Sequence, residues 1–562
     1  MSRILDLADI QGGLLRAYGR QGFPKARYLF FTVRDGAKGR AFVEALRPKV
    51  TTAARWKNPD RGEPLVRTRN PRVKDVVRAE GAPDYPGEVT LLKPKVAINV
   101  AFTFYGLLAL GVSTRTLRGM PDEFIDGMER RAPMLGDSPW LDGRDPIWRD
   151  SNGENRVHLM VSLNAEMNDD GTPVAELDAE NRALEALCGA SEGGVVLLAG
   201  HGRDGSARWQ EMSAILRPDN GAMQPTNLEH FRLADGFGDP VFEGQLSPWA
   251  EKLRVIGGGK ILPDQSWAPL ATGEFLLGHP DEAQEIPGAA MPIEFSRNGT
   301  FMAYRKLQEN ADVFAGYIQE AGARYARMFS TSEEEGEETV RAKMVGRWRE
   351  GVPLQAAPTY REYQDFLKER DAAIAAKDKV KLAALALRYT NFNYRADPDG
   401  AVCPVASHMR RANPRDMLDP HYLNPDKSTW DGSALVNRRR ILRRGLPYGH
   451  WDLRQPPAPG GEDGIIFLAV CSSLFRQFEF VQQQWMQYGL DFNAGSDTCP
   501  IIGNHMDEDQ AKLVIAADGK TRDRPFVCAR IPQFVEPKGG DYFFVPSMTA
   551  LRMIGTGIVD PT

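Results

Sequence analysis

The chain is poor in cysteine. Its five cysteines, Cys188, Cys403, Cys471, Cys499 and Cys528, are odd in number, widely spread and without CxxC spacing, which argues against a disulfide framework and against a thiolate zinc site. Cys403 and Cys499 each precede a proline and read as buried thiols. Strong charge of one sign is missing too. A formal net charge of -5 over 562 residues offers no bulk attraction to nucleic acid or to anionic membranes, so any role for positive charge has to be local. Long apolar runs are absent as well. The longest nearly uncharged stretch, Val96 to Val112, is short for a membrane span, and its apolar residues alternate at Val96, Ile98 and Val100 before the pattern turns helical. The opening MSRILDLADIQG, Met1 to Gly12, has acidic residues where a signal sequence needs an apolar core, and no twin-arginine pair. These absences predict a cytoplasmic protein with no membrane and no nucleic-acid partner. No internal repeat of fixed period is visible.

What is present is enough apolar sequence, 42% against 26% charged, to bury one large core or two ordinary ones. YLFFTV at Tyr28 to Val33 is rich in β-formers, and Ala41, Phe42, Ala45 and Leu46 follow at helical spacing. The same strand-then-helix order recurs at Val96 to Ala101 with Phe104 to Leu110, and at Val157 to Leu163 with Val174 to Leu187. VVLLA at Val195 to Ala199 adds a strand. Later pairs are Gly299 to Tyr304 with Asn310 to Arg327, Gly464 to Ser472 with the apolar series Phe475, Phe478, Val481 and Trp485, and Gly540 to Pro546 with Met548 to Ile554. Such alternation predicts an α+β fold, with helices packed on a sheet. We place one domain at about residues 1–220 and a second at 221–562. Within the second, residues 330–396 stand apart. Glu333 to Glu338 is almost wholly acidic, and Thr359 to Leu387 is a charged, alanine-rich helical stretch with little sign of a core face, so a surface excursion is expected there.

Two stretches about 30 residues apart concentrate the candidate chemistry: AVCPVASHMRRANPR at Ala401 to Arg415, and ILRRGLPYG at Ile441 to Gly449. His408 has Arg410, Arg411 and Arg415 close behind it. A histidine so placed could ligate a metal whose organic frame is anionic, as haem is, with iron taking an imidazole and propionates taking cations. A structural histidine on a basic surface loop is the more economical reading of these residue types by themselves. A solvated basic face likewise accounts for Arg438 to Arg440.

CPVASHMRRANPR, RRRILRRGLPYG and EHFRLADGFGDPVFEG resemble, in order, three signature segments of the dye-decolourising peroxidases, and the similarity extends from DIQGGLL at Asp9 to DYFFVPSMTALR near the C-terminus. Only Ser330 to Ala396 is poorly covered. The resemblance implies two ferredoxin-like α+β halves, each an antiparallel sheet with peripheral helices, and one haem b in the C-terminal half. It implies His408 as the iron ligand, with a carboxylate, Asp497 in GSDTCPIIG, as the partner of its other ring nitrogen. Thr498 and Cys499 intervene before the proline there. It implies Arg443 as the distal arginine that stabilises the hydroperoxide anion, with Arg444 the neighbouring register, and Asp235 as the distal base. Gly236 and Phe237 follow Asp235, and Ile465 and Phe467 would form an apolar distal wall on one face of a strand. Arg232 stands where the family usually has the first glycine of GxxDG, so the loop is expected to bend differently here.

The implied activity is haem peroxidase: Asp235 takes a proton from hydrogen peroxide and passes it to the leaving oxygen, a ferryl species remains, and small phenolic or dye-like reductants are oxidised. An alternative is a haem-binding, carrier or sensing protein with incidental peroxidase activity. No oligomeric state follows from the sequence.

Overall fold

The computed structural model describes residues 5–57, 90–149, 153–419, 430–454, 460–507 and 511–558. The first four residues of the opening stretch lie outside these. β1 (Lys25–Val33) leads through Asp35, whose side chain accepts from the Lys38 N–H (2.9 Å), into α1 (Gly36–Leu46). β2 (Val96–Phe102), β3 (Leu159–Ala165), α2 (Ala175–Ala190) and β4 (Val195–Leu197) follow, and β5 (Gln210–Ser213) returns along the same edge of β1 as β4. The order across this half is β2-β3-β1-β4, antiparallel throughout.

The second half repeats that scheme. β6 (Thr300–Glu309) runs into α3 (Ala311–Phe329), and after a long helical excursion come β7 (Leu442–Tyr448), β8 (Gly464–Cys471) and β9 (Val535–Val545). Their order, β7-β8-β6-β9, matches the first half strand for strand, so both halves are ferredoxin-like. The two sheets join through the Phe544–Phe102 pair of β9 and β2. At the other edge β7 lies against β5, and Leu216 N–H donates to Trp451 O (2.7 Å), closing an α+β barrel.

Period-two alternation divides the strands between two cores. Tyr28, Phe30, Met160, Met302, Tyr304, Leu446, Ile466, Leu468 and Phe543 point into the barrel. Leu29, Phe31, Val33, Ile98, Val100, Leu159, Val161 and Leu163 point outward under Phe42, Val43 and Leu46 of α1 and Leu177 and Leu184 of α2.

Three expectations are corrected. The 330–396 segment is helical, as expected, but it is more than a surface excursion because it has a core face. It forms α4 (Glu333–Val345), α5 (Tyr360–Ala375) and α6 (Lys379–Arg388) around a core of its own, in which Trp348 stacks on Tyr363 at 4.8 Å beside Phe366, Leu385 and Tyr394. The charges concealed this because several are satisfied inside: Glu338 is buried and pairs with both Arg341 and Arg349. The stretch after β8 is helical, but as the wide turns Leu474–Glu479 and Val481–Met486 of π type, which leave Phe475 exposed while Phe478, Val481 and Trp485 are buried. The arginines behind His408 are not a solvated face either. Arg410 and Arg411 are fully buried, and Arg415 and Arg440 nearly so. No helix among the described residues is long and apolar enough to cross a membrane.

Candidate active site

The loop that carries Asp235 is held from beneath. Glu229 accepts the N–H groups of Phe231 (2.7 Å) and Leu233 (2.9 Å), and the Asp235 N–H donates to Asn227 O (2.8 Å). Arg232, in the place of the expected glycine, adopts φ +60. The loop therefore makes a left-handed turn with an arginine in it, at a strain of about 1–2 kcal/mol for an L side chain. Gly236 (φ +88) and Gly238 (φ +72) supply the next two left-handed residues.

Asp235 points at β7. Its Oδ1 accepts from Arg443 Nη1 at 2.9 Å, and Arg443 Nη2 reaches Phe237 O at 3.3 Å. The register decides between the two arginines. Arg443 is opposite Ala469, on the face that carries Phe467 and Ile465, whereas Arg444 turns to the other face, where it donates to Gly13 O and Leu14 O (both 3.0 Å). The side chains of Asp235 and Arg443 are 47% and 35% exposed, and this exposure is to a cavity of about 770 Å³ whose wall includes Asp235, Gly236, Phe237, Arg443, Ile465 and Phe467. A cavity of this size is within the usual range for a small-molecule or cofactor site. The carboxylate of Asp235, outweighing burial, raises the pKa of the Arg443 guanidinium further. The pair thus offers a proton acceptor and a fixed positive charge side by side.

Two further carboxyls lie below the loop. Burial first, and then the charge of Glu309, pushes the pKa of Glu229 well up, and burial pushes Glu309 up to about 8. Glu229 also lines the cavity. The 330–396 segment supplies another wall through Arg370, Leu387 and Tyr389, with Tyr389 stacked on Phe237 at 5.1 Å. Gly351 is left-handed (φ +85) directly behind Phe237, where an added Cβ would stand 2.1 Å from the ring. The sequence carried no signal for these wall residues, because they come from the stretch outside the recognised motifs.

His408 and Asp497 do not line this cavity. His408 opens the short helix α7 (His408–Ala412), which packs on the turn Val481–Met486. The expected carboxylate partner is corrected: Asp497 turns away to Lys512 Nζ (3.0 Å), and Cys499 Sγ sits 3.3 Å from His408 Nδ1. Thr498 and Cys499 stand between Asp497 and Pro500, and it is the thiol of the second that meets the ring. Burial would raise the Cys499 pKa, but His408 and Arg411 outweigh it and hold the thiol below its usual range.

The residues present fit a haem on two counts. His408 has Nδ1 engaged and no hydrogen bond at Nε2 among the described residues, which leaves a nitrogen for a metal. Arg347, Arg415 and Arg440 are buried and, among the described residues, donate to carbonyls, Arg347 to Gly351 O and Tyr389 O (both 2.8 Å), Arg415 to Thr390 O (3.0 Å) and Phe392 O (2.8 Å), Arg440 to Gly259 O (3.2 Å) and Gly258 O (3.4 Å). No carboxylate pairs with any of them among the described residues. Burial pushes Arg347 and Arg440 down to about 9 and Arg415 to about 10. Such a set is stabilised by an added anion, as the propionates of a haem would be. Arg347 lies over the Phe237 ring at 5.2 Å, so the set borders the Asp235 loop.

Residues 9–204 match the family described as the DyP dimeric alpha+beta barrel domain. The chain is 25% identical over 488 residues to a dye-decolorizing peroxidase of Mycena epipterygia, covering 82% of this chain and 76% of that one. It is 28% identical over 347 residues to the multifunctional dye peroxidase DyP2 of an Amycolatopsis species, covering 58% and 61%. The crystal structure of a fungal DyP-type peroxidase from Auricularia auricula-judae superposes with a TM-score of 0.65 at 23% identity over 99% of both chains. With the barrel, these matches show that residues 9–204 carry the DyP alpha+beta barrel domain and that the chain as a whole is similar in sequence and fold to DyP-type peroxidases.

Proposed function

We propose that this protein is a haem peroxidase that reduces hydrogen peroxide and oxidises small phenolic or dye-like donors. The observation that carries the proposal is the Asp235–Arg443 pair, 2.9 Å apart on the wall of a 770 Å³ cavity. The cofactor would be one haem b, with His408 as the ligand to iron and Arg347, Arg415 and Arg440 as candidates for its propionates. Bound haem would supply the redox chemistry, including the ferryl state that the resemblance implies. The protein's own residues do the rest. Asp235 takes the proton of hydrogen peroxide at its carboxylate and returns it to the oxygen that leaves as water. Arg443 stabilises the anion formed when that proton is removed. Ile465 and Phe467 keep that side apolar, and the stacked Phe237 and Tyr389 narrow the space beside it.

Absorption spectra of the purified protein, before and after one equivalent of peroxide, test cofactor and reaction class together. A haem band lost in His408→Ala, and a peroxide response slowed in Asp235→Asn and Arg443→Leu with haem retained, are the expected results. Readily reversible haem binding with only slow reaction toward peroxide would favour a carrier or sensor instead.

A further inference from the structure

The residue that faces His408 is a cysteine, and the surrounding chain is built to keep it there. The Cys499 N–H donates to Met486 O (2.7 Å), and Cys499 O accepts from the Gly503 N–H (2.9 Å) and lies 2.9 Å from His505 Nε2. The other nitrogen of His505 is 2.9 Å from Pro532 O. On the histidine side, Arg411 of α7 ties the helix to the same loop, donating to Trp485 O (3.0 Å), Tyr488 O (3.3 Å) and Asp497 O (2.7 Å). Cys499, Arg411 and His505 are all buried. Helix α7 and the Cys499 loop thus form one pinned block, in which the 3.3 Å distance from Nδ1 to Sγ is imposed from both sides.

We propose that Cys499 is a positioning residue for His408: it accepts the hydrogen bond of the ring's Nδ1–H, fixes the tautomer and orientation that leave Nε2 for iron, and sets how strongly the imidazole donates. This rests on the reading of His408 as the iron ligand. An imidazole that binds a metal through Nε2 carries its proton on Nδ1, and the acceptor of that proton tunes the basicity of the ring. In this chain that acceptor is sulfur, because the nearby carboxylate of Asp497 is taken by Lys512. Removing the acceptor weakens donation to iron and favours the ferrous state.

The test uses the full-length, haem-loaded protein and reads the Fe(III)/Fe(II) midpoint potential together with the absorption spectrum. Cys499→Val removes the acceptor at similar volume, and its potential is expected to rise above that of the unsubstituted protein. Cys499→Ser keeps an acceptor with shorter reach, and its potential should rise less; it also covers the case in which the valine variant does not fold. An unchanged potential and spectrum in a fully loaded valine variant, or in the serine variant when valine does not fold, overturns the proposal. Retention of the wild-type haem spectrum by His408→Ala overturns the ligand reading first and this proposal with it, so the two failures are distinguishable.

Discussion

The two halves of the barrel share one strand order but differ on the outer face of the sheet. In the first half that face is closed: Leu29 and Phe31 on β1, Ile98 on β2 and Leu163 on β3 are buried under α1 and α2. In the second half the equivalent face carries Arg443 and Gly445 on β7 beside Ile465 and Phe467 on β8, none fully buried, and a cavity remains above it. The same scaffold, sealed with apolar side chains, yields a structural half. Left unfilled, with one cation and one loop carboxylate aimed into the gap, it yields a site. The candidate site thus lies where packing of the sheet is incomplete, and the sealed half supports the frame.

Breaking the sealed half should cost stability. Phe31→Ala removes a fully buried ring that contacts Phe42 at 5.4 Å and is expected to destabilise the fold by about 3–5 kcal/mol, read by denaturant unfolding, with peroxide reactivity preserved below the transition. Breaking the open half should cost reactivity. Arg443→Leu is expected to slow the reaction with peroxide by roughly 10²–10³-fold, in stopped-flow measurements, while thermal stability barely changes. A variant that turns over at the full rate would remove Arg443 from the proposed chemistry.

The comparison is sharpened by pH, since the open half holds buried acids beneath its loop. Glu309, raised from 4.5 to about 8 by burial, binds its proton more tightly folded than unfolded. Its contribution is therefore fully present below about pH 4.5 and is lost as pH rises toward 8. Glu309→Gln should flatten that part of the stability profile, seen in melting temperature against pH. The smallest effect is expected at Arg232. Arg232→Gly relieves left-handed strain at φ +60 but loosens the unfolded chain, so the net gain should be no more than about 1 kcal/mol, measured by chemical denaturation.

Much of the fold was legible. YLFFTV, VHLMVSL and GIIFLAVCS announce strands by β-branched and aromatic content, and the helices that follow announce themselves by spacing. The strand β7 was not, because RRGLP contains charges, glycine and proline that strands usually avoid. It is tolerated as an edge strand, hydrogen-bonded to β8 alone within the sheet. The core face of the helical segment between residues 330 and 396 is hidden for a different reason: some of its charges pair internally, and pairing leaves no trace in composition.

The sequence by itself determined an α+β alternation of strands and helices through its periodicity and a lack of CxxC spacing, while the resemblance carried by its short motifs implied two ferredoxin-like halves and singled out Asp235 and Arg443. Only the tertiary structure decided which arginine meets Asp235, that Arg232 can take a glycine's backbone, that α5 and α6 reach the cavity, and that His408 faces Cys499 instead of Asp497. Each of these depends on register or on a distance between segments far apart in the chain, which residue types and local spacing do not encode.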